Sequence, residues 1–224
     1  MTSRSTACTE FYRRRLPHWQ RPGATLFVTC RLAGSLPMPV IAALVDEQAE
    51  LEEALSNIGD TYEREQQADR AAKRAFGHWD AALDTQTAGP RWLADPRVAE
   101  MVAAALHRRH GQVYNLATFC IMPNHVHIVY TPLEQEDGTY VANTRILQSL
   151  KGYTARQANR ILQCEGPFWQ AESYDRVVRD AAELERIVIY VLNNPVKAGL
   201  VAEWQHWPWS WCKPAWISPE EPSG

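Results

Sequence analysis

Residues 25 to 32, Thr-Leu-Phe-Val-Thr-Cys-Arg-Leu, concentrate β-branched, aromatic and apolar side chains behind Pro17, Pro22 and Gly23, and they predict the first strand. The stretches 40 to 58 and 61 to 84 are rich in Ala, Glu and Gln, lack proline and break at Gly59-Asp60, which predicts a pair of helices. Asp95-Pro96 places an N-cap before proline at the first helical position, and His110-Gly111 closes that helix. Gln112 to Met122 and His125 to Thr131 are strand-like runs separated by the turn signal Pro123-Asn124, and so predict an antiparallel hairpin. A helix over about 141 to 163 and a short strand over Glu172 to Arg179 follow. Asp180 with Glu183 resembles a capping box, and it opens a helix whose Leu184, Ile187, Val188, Val191 and Leu192 recur at the spacing of a buried face.

This order predicts one α+β domain over residues 1–212, an antiparallel sheet with helices packed on one face. The helical pair, within about residues 40–90, sits between a strand and the next helix as an insertion. The tail carries Trp204, Trp207, Trp209, Trp211 and Trp216, and residues 213–224 are expected to be disordered.

Charge changes the picture because it is segregated. The net charge is -3, yet residues 41 to 84 hold 11 acidic and 4 basic side chains, leaving 19 basic and 15 acidic elsewhere. The basic groups gather at Arg13, Arg14 and Arg15, at His107 to His110, at Lys151, Arg156 and Arg160, and at Arg176, Arg179 and Arg186. Such patches can neutralise phosphates, although a charge cluster is more often a solvated face. The 5 cysteines are widely spaced without a Cys-x-x-Cys, which argues against a disulfide framework or zinc ribbon and for a reducing cytoplasm. The opening residues lack the apolar core of a secretion signal, and no apolar run approaches the ~20 residues that span a bilayer, so no membrane is expected.

The candidate chemistry centres on His125 and His127. Residues two apart on a strand share a face, so both imidazoles can reach one metal ion. Tyr190 and Asn194 stand one turn apart on the last helix, on a stripe with Glu183 and Ile187 at the edge of its buried face. A divalent cation would polarise a scissile phosphate while Tyr190 attacks phosphorus, giving a 5'-phosphotyrosine and a free 3'-hydroxyl that can reverse the step. The phenol, with a reference pKa of about 10, needs a nearby cation to ionise. Asn194 can supply a third ligand oxygen, but Pro195 disfavours helical geometry at the residue before it, so Asn193 is the alternative. Tyr153 and Gln157 share the four-residue spacing on a basic helix, and spacing does not choose between the tyrosines. Each feature alone has a plainer reading: a His-x-His in a core, an Asn-Pro helix stop, a tyrosine in boundary packing.

Met122-Pro-Asn-His-Val-His-Ile-Val129, Leu150-Lys-Gly-Tyr-Thr-Ala-Arg156, Phe168-Trp-Gln-Ala-Glu-Ser-Tyr-Asp-Arg176 and Asn194-Pro-Val-Lys-Ala-Gly-Leu200 together resemble the REP-associated tyrosine transposases, of the single-tyrosine HUH superfamily. Arg15-Leu-Pro-His-Trp19 and Pro22-Gly-Ala-Thr25 also fit, and the resemblance spans roughly residues 10 to 212. It implies a ferredoxin-like or RRM-like sheet, metal binding by His125 and His127 completed by Asn194, and Tyr190 as the nucleophile. The implied cofactor is Mg2+ or Mn2+. Imidazole ligands suit Mn2+ more, while abundance favours Mg2+.

The resemblance further implies single-stranded DNA that folds into REP-type hairpins as substrate and partner. Arg13, Arg14, Arg15, Lys151 and Arg156 are candidate phosphate contacts, and Trp19 and the tail tryptophans are candidate stacking platforms or, for the tail, core packing. The sequence is compatible with a monomer or a homodimer. Two rival readings of the same residues are a catalytically silent hairpin-DNA-binding regulator and a metallonuclease with a water nucleophile. The acidic helical pair departs from the minimal members of that family, and covering the site, contacting a partner and simple packing all remain open for it.

Overall fold

A computed structural model describes residues 23–85 and 89–214. Arg13, Arg14, Arg15, Trp19, Trp216 and most of the expected disordered tail lie outside the described residues. The strands are β1 (Leu26–Arg31), β2 (Tyr114–Ile121), β3 (His125–Pro132), β4 (Tyr174–Val177) and β5 (Ser210–Cys212). The helices are α1 (Met38–Ser56), α2 (Thr61–Thr85), α3 (Pro96–Arg109), α4 (Asn143–Leu162) and α5 (Ala181–Lys197). They build an α+β protein around one antiparallel sheet of order β4-β1-β3-β2-β5. Without β5 this is the order of a ferredoxin-like sheet, and β3, which carries both histidines, lies at its centre.

Alternation along the strands divides the core into two layers. Leu26, Val28, Cys30, Val126, Ile128 and Tyr130 pack under α3 and α4 with Val98, Val102, Leu106, Ile146 and Leu150. Phe27, Cys120, Met122 and Val129 face the other way, against Ile187 and Val191 of α5 and Phe76 of α2. Helices therefore cover both faces, not the one expected. The apolar stripe of α5 is a core face of its own, and it needs the second side of the sheet to bury it.

The boundaries follow local chemistry. Asp95 caps α3 by accepting from Arg97 N–H at 2.9 Å, ahead of Pro96. Asp180 caps α5 by accepting from Glu183 N–H at 2.7 Å. Helix α5 continues through Pro195 to Lys197. A proline in a last turn removes its own N–H from the ladder, while Ala198 N–H still reaches Asn194 C=O at 3.0 Å. The Trp-rich segment adds β5, too short to be read from alternation. Trp211 stacks on Phe119 with ring centroids 6.1 Å apart, and Trp207 Nε1–H donates to Ile121 C=O at 3.0 Å. The described tail tryptophans thus close the edge beyond β2.

The acidic insertion forms the predicted pair, α1 and α2, around a small core of Leu36, Ile41 and Leu83. Its second helix returns across the α5 face of the sheet, so that Phe76 meets Phe27 edge-on at 5.0 Å between centroids. The predicted helical pair is present, and α2 lies over the candidate site. Among the described residues no helix is long and apolar enough to cross a membrane.

Candidate active site

His125 and His127 leave β3 on the α5 side, paired across the ladder with Arg31 and Thr29 of β1. Both rings are fully buried, at 0% exposure. Their Nε2 atoms face one another at 3.0 Å, and their Nδ1 atoms point outward to fixed partners. Asn124 donates from Nδ2 to Leu83 C=O at 2.9 Å, which turns its Oδ1 toward His125 Nδ1 at 2.8 Å. That makes His125 Nδ1 the protonated nitrogen and leaves its Nε2 as a lone pair. His127 Nδ1 lies 2.9 Å from the Thr29 hydroxyl, which can accept its proton in the same way. Burial and the neighbouring His127 push the His125 pKa down to about 3, so this imidazole is neutral at physiological pH and able to ligate.

Two more groups converge on His127 Nε2. Asn194 Nδ2 approaches to 3.2 Å and Asp80 Oδ1 to 3.0 Å. Asn194 is fully buried and its Oδ1 has no hydrogen-bond partner, whereas Asn193 is only half-buried. The structure therefore turns Asn194 toward the histidines, because α5 runs past Pro195 without ending at it. Asp80 was missed in the sequence. It lies in the acidic insertion, where a carboxylate reads as one more solvated charge, and its partners are 45 or more residues away. The signal was Phe76, Asp80 and Leu83 on one helical stripe, an acid at a core position.

These atoms fit a metal ion. Ligating atoms about 2.0 to 2.2 Å from one cation stand roughly 3 Å apart, as the two ε-nitrogens do from one another and Asp80 Oδ1 does from His127 Nε2. Asp80, His125 and His127 offer ligand atoms all within 4.8 Å of one another. Burial acts to raise the Asp80 pKa, but the facing His127 outweighs it and holds the carboxyl below its ordinary value. Asp84, one turn further on, is pushed up to about 6 by burial and by the charge of Asp80.

Tyr190 stands half-buried beside this cluster, its ring 5.9 Å from that of His127 and 5.7 Å from Phe76. Lys197 Nζ sits 4.7 Å from the Tyr190 ring centroid, 4.0 Å from Asp80 and 3.9 Å from Asp84. Tyr153 is elsewhere: it packs on the α3 and α4 layer, with the Arg109 guanidinium 5.6 Å from its ring. Of the two tyrosines, Tyr190 is the one whose ring lies beside the histidines.

Of the described basic candidates, Arg156 is exposed. Lys151 donates to Gln170 C=O at 2.6 Å, Ala171 C=O at 2.8 Å and Ser173 Oγ at 3.0 Å, which anchors the segment leading into β4. Arg176 and Arg179 pair with Glu183.

A ferredoxin-like sheet with two inward-facing imidazoles on its central strand and a tyrosine on the covering helix defines a class, that of proteins built around a paired-histidine site. No family model matches the chain. A curated protein of Haemophilus influenzae named "Putative REP-associated tyrosine transposase" is 28% identical over 102 residues, covering 43% of this chain and 58% of that protein. The match thus spans little more than half the length of that relative. A solved structure described as the REP-associated tyrosine transposase bound to a REP hairpin aligns with 90% of this chain and 81% of its own, at 15% identity and a TM-score of 0.48. The motif resemblance is matched by this curated relative: over the aligned residues the chain is similar to a protein that carries that family's name.

Proposed function

We propose that the chain is a metal-dependent single-stranded DNA endonuclease and strand transferase that works through Tyr190 on REP-type hairpin DNA. The observation that carries the reading is the placement of Tyr190 on the helix facing His125 and His127, its ring 5.9 Å from that of His127 beside the candidate cation site. Support for the substrate comes from the name of the curated relative and from the family resemblance of the motifs in this sequence.

His125, His127 and Asn194 would hold Mg2+ or Mn2+, which supplies Lewis-acid polarisation of the phosphate and stabilises its developing charge. The chain's own residues do the rest. Thr29 and Asn124 fix the imidazole orientations so that both ε-nitrogens point inward. Tyr190 Oη forms the bond to phosphorus as the bond to the 3'-oxygen breaks. The electron pair leaves on that oxygen, which takes up a proton to become the 3'-hydroxyl, and the phenol proton passes to solvent. Lys197, over the ring, favours the phenolate electrostatically. The reverse attack by a 3'-hydroxyl on the phosphotyrosine rejoins DNA. Arg156 and the N-terminal Arg13, Arg14 and Arg15 are the proposed phosphate contacts, within one HUH-type domain over residues 1–212 acting in the cytoplasm.

The test is incubation with a labelled hairpin oligonucleotide carrying the organism's own palindrome, with Mn2+, with Mg2+ and with EDTA, followed by a denaturing protein gel. A metal-dependent labelled band absent from Tyr190→Phe is expected. Cleavage without a band means a water nucleophile, and binding without cleavage means a silent hairpin-DNA-binding regulator.

A further inference from the structure

We infer that Asp80, delivered by the helical insertion, ligates the same divalent cation as His125 and His127, so that the insertion completes the metal centre and does not merely cover it. The inference rests on the metal-site reading above and extends it to an element that the minimal resemblance does not include.

Asp80 is 2% exposed, and its Oδ1 faces the histidine pair across 3.0 Å to His127 Nε2. A buried carboxylate is costly unless a cation or a proton donor matches it, and the nearest group to this one is that Nε2. With His127 Nδ1–H donating a hydrogen bond to the Thr29 hydroxyl, its Nε2 carries a lone pair, as His125 Nε2 does. Asp80 Oδ1 and the two ε-nitrogens are then three electron-pair donors facing one another, with the Asn194 amide 3.2 Å from His127 Nε2. A dication at their centre satisfies all three at once. Lys197 does not substitute for it: its ammonium is half-exposed, stands 4.0 Å from Asp80 Oδ2 and is shared with Asp84.

The insertion is built to hold this carboxylate in place. Phe76, one turn before Asp80, packs on Phe27 and Tyr190, and Leu83, almost one turn after it, receives the Asn124 amide through its carbonyl. Asn124 also orients His125, so the insertion and the first histidine are tied through a single side chain. Adding an anionic oxygen to the imidazoles makes the ligand set harder, which favours Mg2+ and Mn2+ over softer ions. It also links two equilibria: a cation that binds only the docked insertion must stabilise the docking.

The experiment is Mn2+ titration of the full chain followed by electron paramagnetic resonance of the free ion, with wild type, Asp80→Asn, His127→Ala and the charge control Glu47→Gln on α1. Asp80→Asn is expected to weaken Mn2+ by about 10- to 100-fold and His127→Ala at least as much, with Glu47→Gln near wild type. Hydrogen exchange of wild type with and without Mn2+ needs no variant, and slowing of the amides across residues 76 to 84 is expected. Wild-type affinity in Asp80→Asn alongside loss in His127→Ala would overturn the role of Asp80 and leave the histidine site standing. No Mn2+-dependent protection in α2 would likewise overturn it. Failure of wild type to bind Mn2+ at all would remove the metal-site reading itself.

Discussion

Asn124 and His125 form a side-chain pair between sequence neighbours, Oδ1 to Nδ1 at 2.8 Å, and the same amide reaches 2.9 Å to the carbonyl of Leu83 in the insertion. One residue therefore sets the tautomer of a candidate ligand and fastens the helix that covers it. Replacing Asn124 with Ala strands a buried imidazole N–H and a buried carbonyl. A loss of about 1 to 3 kcal/mol in stability and roughly tenfold or more in Mn2+ affinity is expected, read by denaturant unfolding and by metal titration.

The two tyrosines with identical spacing to an amide residue separate by sheet face. Tyr190→Phe should abolish the covalent DNA adduct while keeping hairpin binding, because the ring and its contacts with Phe27 and Phe76 persist. Tyr153→Phe should cleave as wild type, measured by product formation on a sequencing gel.

Glu183 gives a pH dependence whose sign is fixed. Burial pushes its carboxyl up, but the Arg179 N–H and the Arg176 guanidinium overcome this and hold it at about 2 against an ordinary 4.5. A depressed folded-state pKa contributes stability that is fully present above about 4.5 and lost as pH falls toward 2. The contribution is on the order of 1 to 3 kcal/mol. Glu183→Gln should lower stability at pH 7 and flatten the acid limb of the stability profile, checked by urea unfolding between pH 7 and 3.

Lys151 and Arg156 should part company in salt titrations of hairpin binding. Arg156→Ala should reduce the slope of log affinity against log salt by about 0.7 to 0.9, the value for one phosphate contact. Lys151→Ala should instead lower the melting temperature, since three donated hydrogen bonds to the segment before β4 are lost.

Much of this was legible along the chain for physical reasons. The hairpin of β2 and β3 announces itself by two β-rich runs and Pro123-Asn124, and period two puts His125 and His127 together without any tertiary knowledge. The apolar stripe of α5 placed Tyr190 and Asn194 on one side. What escaped depended on distant contacts. Asp80 lies among other acids in an insertion, and only its docking against β3 distinguishes it from a solvated charge. The three-residue β5 is set by pairing with β2, which local pattern does not encode. That helices occupy both faces follows from α5 crossing behind the sheet, a choice that the apolar stripe permits and does not specify.

The most direct measurement of the central claim is mass spectrometry of the protease-digested adduct formed with a 5'-tailed hairpin oligonucleotide and Mn2+. A single nucleotide-bearing peptide with the modification on Tyr190 is predicted. Attachment to Tyr153 or another residue, or complete cleavage with no modified peptide, would contradict the account.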